Sequence, residues 1–160
     1  MPATSTFFAQ PNLQYRWVFI ISLLLSAWLI WLDPLINRDA IIYLRAADAY
    51  LLDGLAASQE VYPRPILPII IALIHNLTGL PLLPIGLALN SLFYAALCIG
   101  FVATVRTLGG DRSVQLIAAV VILSHPWLNH TRSAIMREPA YLLFMIWSMR
   151  ELLLYQRKPV

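Results

Sequence analysis

Two carboxylates and three arginines are the residues of this chain whose type and position could do chemistry. Asp39 and Glu138 each sit where an apolar run meets a polar stretch. Carboxylates at such an edge can serve as general base, or as partner to a metal or a substrate. The structural alternative is that Asp39 caps a helix or pairs with Arg38, and that Glu138 pairs with Arg132 or Arg137. Arg64, Arg132 and Arg137 could hold an anionic head group, because a guanidinium matches phosphate as a two-pronged donor. Ordinary interfacial arginines touching lipid phosphate would look the same. His125 and His130 could join Glu138 around a divalent cation, although their spacing matches no recognised metal motif and the metal is left unknown. Asn90, inside an apolar run, reads as an interhelical hydrogen bond rather than a ligand.

The elements that must position these residues are membrane helices. The chain has 160 residues, of which 60% are hydrophobic and only 12% charged, and its mean hydropathy is +0.73. A soluble domain needs about twice that charged share, and disorder is excluded by the same figures. The net charge of +3 comes from basic residues scattered singly and in pairs, so no patch suggests nucleic acid. The one cysteine, Cys98, excludes a disulfide framework or a cysteine-rich metal site.

The predicted class is all-α, a polytopic membrane protein with about four transmembrane helices. Residues 1–16 form a cytoplasmic N-terminal segment and 17–160 a single membrane domain. Trp17–Ile36 is one span, about 30 Å long at the α-helical rise, read as a retained anchor because no small-residue cleavage site follows it. Residues 37–54 change character. Ile41, Leu44, Leu51, Leu52 and Leu55 fall at helical spacing among three acids and two arginines, which predicts a surface helix. Asn37 is its expected cap, with Asp39 in the first turn and Gly54 at the end. Residues 66–74, short and interrupted by Pro68, read as re-entrant or interfacial. Residues 37–82 thus form an outer loop of surface and re-entrant helices. Further spans are expected at 83–105, 114–128 and 139–155, with Gly109-Gly110-Asp111-Arg112 as a tight turn and Pro139 opening the last helix.

With four spans and a cytoplasmic N-terminus, Arg16, Arg106, Arg112, Arg150, Arg157 and Lys158 lie inside. Arg38, Arg45, Arg64, Arg132 and Arg137 lie outside. A five-span rival, with 64–78 crossing, satisfies the positive-inside rule better. Length and the prolines favour four.

The order of features also resembles a known class. Arg38-Asp39-Ala40-Ile41-Ile42-Tyr43 follows the anchor, then Leu51-Leu52-Asp53-Gly54, Tyr62-Pro63-Arg64-Pro65 and Leu77-Thr78-Gly79. Leu108-Gly109-Gly110-Asp111-Arg112, His125-Pro126, Arg132-Ser133 and Arg137-Glu138 complete it. This is similar to the N-terminal part of the GT-C membrane glycosyltransferases, which include protein O-mannosyltransferases and lipid A aminoarabinose transferases. The resemblance implies that Asp39 is the catalytic aspartate after the first span and that Tyr43 takes the aromatic position in substrate binding. Ala40 departs from the family's common Asp-Glu pair. Glu138 matches a second catalytic acid opening a later outer loop, and Arg64, Arg132 and Arg137 become candidates to hold the departing lipid phosphate. The implied donor is a polyprenyl-phosphate sugar, transferred by inverting displacement on the outer face, in the bacterial inner membrane.

Family members look several times longer, so the chain reads as an N-terminal portion or a short relative. Membrane lipids and further transmembrane helices, from a C-terminal part or a partner, are its expected neighbours. The competing reading is a non-catalytic small membrane subunit that assembles with other membrane proteins.

Overall fold

A computed structural model describes residues 13–33 and 35–156. The expected cytoplasmic segment lies outside these as far as residue 12, as do Arg157 and Lys158 of the charge comparison. The described residues form eight helices and no strand: α1 (Leu13–Leu32), α2 (Arg38–Asp53), α3 (Leu55–Val61), α4 (Ile66–Thr78), α5 (Leu82–Thr107), α6 (Arg112–Ser124), α7 (Pro126–His130) and α8 (Glu138–Gln156). The all-α expectation is met.

The 26-residue α5 is the axis. Helices α1, α6 and α8 pack on it, and α2 and α4 reach it from one end. Two apolar clusters result. One joins α1, α5 and α6 through Val18, Leu97, Val102, Ala118 and Ile122. The other gathers Ala40 and Tyr43 of α2, Ile71 and Ala72 of α4, Ile85 of α5 and Ile135. Small residues bring the backbones together: at Gly100 an added Cβ would stand 2.7 Å from the Trp147 indole nitrogen, and that indole donates to the Ala96 carbonyl at 3.2 Å. Close approach through small residues is the usual way apolar helices associate without a hydrophobic driving force between them.

Among the described residues two helices, over 15–32 and 82–107, are long and apolar enough to cross a membrane. The expected span 114–128 is not one helix. It divides into α6, which ends at Ser124, and α7, because Pro126 cannot continue the hydrogen-bonding ladder and His125 takes extended backbone angles. The 13 residues of α6 rise about 20 Å, short of a hydrocarbon core. The fourth expected span, α8, has 19 residues but carries Glu138, Arg150 and Glu151.

Between α1 and α5, α2 ends where expected. Gly54 adopts φ +82 and its N–H donates to the Tyr50 carbonyl. A separate short α3 then folds back on α2, with the buried Ser58 hydroxyl donating to the Ala46 carbonyl at 2.8 Å. Helix α4 runs four residues beyond the expected apolar run, to a left-handed cap at Gly79. Asn37 corrects an expectation. It occupies the N-cap of α2 with extended backbone angles, yet its side chain makes no cap hydrogen bond. Its amide instead pairs in both directions with Ile135: the Ile135 N–H donates to Oδ1 at 3.1 Å, and Nδ2 donates to the Ile135 carbonyl at 3.4 Å. A partner 98 residues away has displaced the local cap.

Candidate functional site

The C-terminal end of α1, the first turn of α2 and the segment between α7 and α8 converge at one end of the bundle. Between them opens a cleft of about 410 Å³ lined by Asp33, Asn37, Arg38, Asp39, His130 and Ser133 among others. Asp39 is half-buried and has no hydrogen bond or salt bridge among the described residues. The expected alternative, pairing with Arg38, is therefore not what the structure holds. A carboxylate set in the first turn of a helix gains from the helix dipole, and its oxygens stay available to a ligand in the cleft.

One turn along α2, Tyr43 is buried at 4% exposure and packs edge-on against Tyr62, with ring centroids 5.1 Å apart. Tyr62 closes α3, and its hydroxyl accepts a 2.9 Å hydrogen bond from Arg137. Arg137 Nε in turn stands 3.7 Å from Glu138 Oε1. Tyr43, Tyr62, Arg137 and Glu138 thus form one chain of contacts. Burial pushes the Tyr43 hydroxyl well above the usual tyrosine range. The neighbouring Tyr62 hydroxyl and the negative charge of Asp39 push it the same way, against a smaller opposing pull from Arg137. Tyr43 is therefore a neutral hydroxyl at any physiological pH. Glu138 opens α8, and its second oxygen, Oε2, is buried without a hydrogen-bond partner. An acceptor left in that state costs free energy on the order of 1–3 kcal/mol, which makes this oxygen a candidate to meet a ligand.

The remaining candidates divide. Arg64 is exposed and holds no side-chain partner among the described residues. Arg132 is at 0% exposure, and its donors are engaged inside the bundle by Ser22, Ser26, Asn129 and Cys98. It lies apart from the cleft surface, and its place is the bundle core. His125 is committed locally: its Nδ1 accepts from the Leu128 N–H at 3.5 Å and caps α7. His130 lines the cleft with Asp39. No group of three or more His, Cys, Asp or Glu that could hold a metal is present among the described residues. Asn90, 2% exposed, donates to the Arg132 carbonyl at 3.4 Å rather than to another helix.

Sequence reasoning did not single out Tyr62, Arg38, His130 with Asp39, or Ser133 as one surface. The only signal for Tyr62 was its position in Tyr-Pro-Arg-Pro. For His130 and Ser133 the signal was a short polar stretch between two apolar runs. Comparison with known proteins finds no matching family model, no similar curated protein and no similar solved structure.

Proposed function

We propose that the chain builds the catalytic-loop portion of an integral-membrane glycosyltransferase. It would transfer a sugar from a polyprenyl-phosphate donor to an acceptor on the outer face. The observation that carries the reading is the unpaired Asp39 opening on a cleft directly after the first apolar helix. Tyr43, one turn further on, leads through Tyr62 and Arg137 to Glu138. In this reading α1, α5, α6–α7 and α8 are embedded in the inner membrane with the N-terminus cytoplasmic, and α2–α4 lie along the outer surface.

The chemistry is inverting displacement. Asp39 accepts the proton of the acceptor hydroxyl, or orients it, as that oxygen attacks the anomeric carbon and the bond to the lipid phosphate breaks. Tyr43, buried one turn beyond Asp39 and packed on Tyr62, backs the first turn of α2 behind the cleft rather than meeting the sugar. The departing phosphate needs a cation. Arg137 and Arg64 remain the available arginines of those expected, and Arg38 joins them from the cleft wall. Glu138, with one free carboxylate oxygen, holds the acceptor or a divalent ion. Any further helices that complete a donor site would pack on the exposed faces of α6 and α8.

Asp39→Asn and Glu138→Gln test the reading in membranes carrying the full-length protein. Loss of sugar transfer from both, with the protein still folded, supports it. Silence of both, together with loss of a membrane complex when the exposed face of α8 is altered, establishes the non-catalytic subunit instead.

A further inference from the structure

Among the described residues Arg132 is the largest fully buried side chain, and none of their carboxylates forms a salt bridge with it. A buried cation without a counter-charge is costly, so its surroundings must supply compensation by other means. They do so from three elements. Nη1 donates to the Ser22 carbonyl at 3.2 Å, the Ser22 hydroxyl at 2.9 Å and the Ser26 hydroxyl at 3.0 Å, all on α1. Nη2 donates to Cys98 Sγ at 3.7 Å on α5, and Nε donates to Asn129 Oδ1 at 2.9 Å on α7. The guanidinium carbon also lies 4.9 Å from the ring centre of Tyr94.

The partners on α5 fall at a regular spacing of four. An added Cβ at Gly86 would meet Ile135 Cδ1 at 2.6 Å. Asn90 donates to the Arg132 carbonyl, the Tyr94 hydroxyl bonds Thr131, and Cys98 receives the guanidinium. Residues four apart share one helix face, so one stripe of α5 receives the segment from Thr131 to Ile135 along its length. That segment ends on the two-way pairing of Ile135 with Asn37, and Asn37 immediately precedes Arg38 and Asp39. Three residues beyond Ile135 stands Glu138.

We propose that Arg132 is a positioning residue. It pins the segment 131–138 to α1 and α5, and through the Ile135–Asn37 pairing fixes where Asp39 stands relative to His130, Ser133 and Glu138. A guanidinium suits the task because its planar fork reaches three helices at once. A lysine ammonium would donate from a single atom in place of three. That the positioned groups serve sugar transfer rests on the reading above; the coupling from Arg132 to the first turn of α2 does not.

The test uses amide exchange on the full chain in membranes or micelles, with Cys98 alkylation by N-ethylmaleimide as a second readout. Cys98 is the chain's one cysteine and is buried at 0% exposure, so it is protected while Arg132 holds the segment against α5. Arg132→Gln should expose it and Arg132→Lys should expose it in part. Arg132→Gln should also quicken exchange on the order of tenfold in residues 133–137 and 38–42 while leaving α6 unchanged. A residue that only stabilises the fold would quicken exchange everywhere. Asn37→Ala severs the downstream link alone: it should loosen residues 38–42 with Cys98 still protected. Adding Arg132→Gln to it should then loosen 38–42 no further. If Arg132→Gln does not fold, Asn37→Ala still decides, because unchanged exchange at 38–42 in that variant overturns the proposal. Uniform acceleration, or additive effects of the two substitutions at 38–42, overturns it as well. Failure of Asp39→Asn to reduce transfer would sink the glycosyltransferase reading and leave these exchange results standing.

Discussion

Replacing Asn37 by serine separates two accounts of the same residue. Serine ranks with asparagine as a helix N-cap. If Asn37 served α2 as a cap, the substitution would change stability by only a few tenths of a kcal/mol. In the structure the side chain caps nothing and instead holds both polar groups of Ile135, a residue 1% exposed. Serine is too short to reach them. Each bond is worth about 0.5–1.5 kcal/mol net, with the 3.4 Å bond at the weak end. The peptide left behind is largely shielded from water, which adds a desolvation cost. The expected loss is about 2 kcal/mol, roughly a 30-fold shift in the unfolding equilibrium at 1.4 kcal/mol per factor of ten. Asn37→Asp keeps the acceptor for the Ile135 N–H and should fall between wild type and serine. Reversible denaturant unfolding in micelles, followed by far-ultraviolet circular dichroism, gives the stability. Amide exchange at Ile135 gives the local effect. A serine variant within about 0.5 kcal/mol of wild type, with Ile135 exchange unchanged, would refute the clasp and restore the cap.

Other consequences follow from the same packing. Gly100→Ala should cost about 1–2 kcal/mol despite better helix propensity, because its methyl meets the rigid Trp147 ring, whereas Gly86→Ala should cost less because its closest contact is the flexible end of Ile135; paired unfolding curves rank them. Tyr43, whose hydroxyl is raised when folded, holds its proton where the unfolded chain has lost it. Stability should therefore fall as pH rises past the usual tyrosine range, and Tyr43→Phe should flatten that alkaline limb in a stability-against-pH series. A cysteine replacing Gln59 in α3, with Cys98 changed to serine, should label with an impermeant maleimide from the outer side of sealed vesicles; labelling from the cytoplasmic side alone would restore the five-span arrangement.

Periodicity and hydropathy made the helices legible, since burial of an apolar face at 3.6-residue spacing leaves a local trace. Residues 17–36, 37–54, 83–105 and 139–155 each correspond to a helix with boundaries shifted by a few residues. The shifts have local causes. The first helix stops at Leu32, where the Asp33 carboxylate turns to accept from the Leu35 N–H at 3.3 Å. Apolar length overstated the run 114–128, because a proline after His125 counts for little in a hydropathy sum and for everything in a hydrogen-bond ladder.

The site was legible only in parts. Asp39, Arg137 and Glu138 stand out by type and Tyr43 by the resemblance alone, and the structure brings the last three together through Tyr62. The charge of Arg132 predicts a place at the membrane surface. Nothing near it in sequence announces the serines of α1, 106 and 110 residues away, that receive it in the core. Asn37 shows the same limit: a local cap rule held for its backbone and failed for its side chain, because a long-range partner offered two bonds in place of one.

The central claim is that Asp39 and its cleft transfer a sugar. The most direct measurement is consumption of a radiolabelled polyprenyl-phosphate sugar by membranes containing this protein, beside membranes with Asp39→Asn at equal expression. The account predicts labelled product from the wild type, with a loss of at least about a hundredfold in the variant, the scale of a general base. Equal turnover in both, or none in either with the donor classes of hexose and pentose supplied, would contradict it.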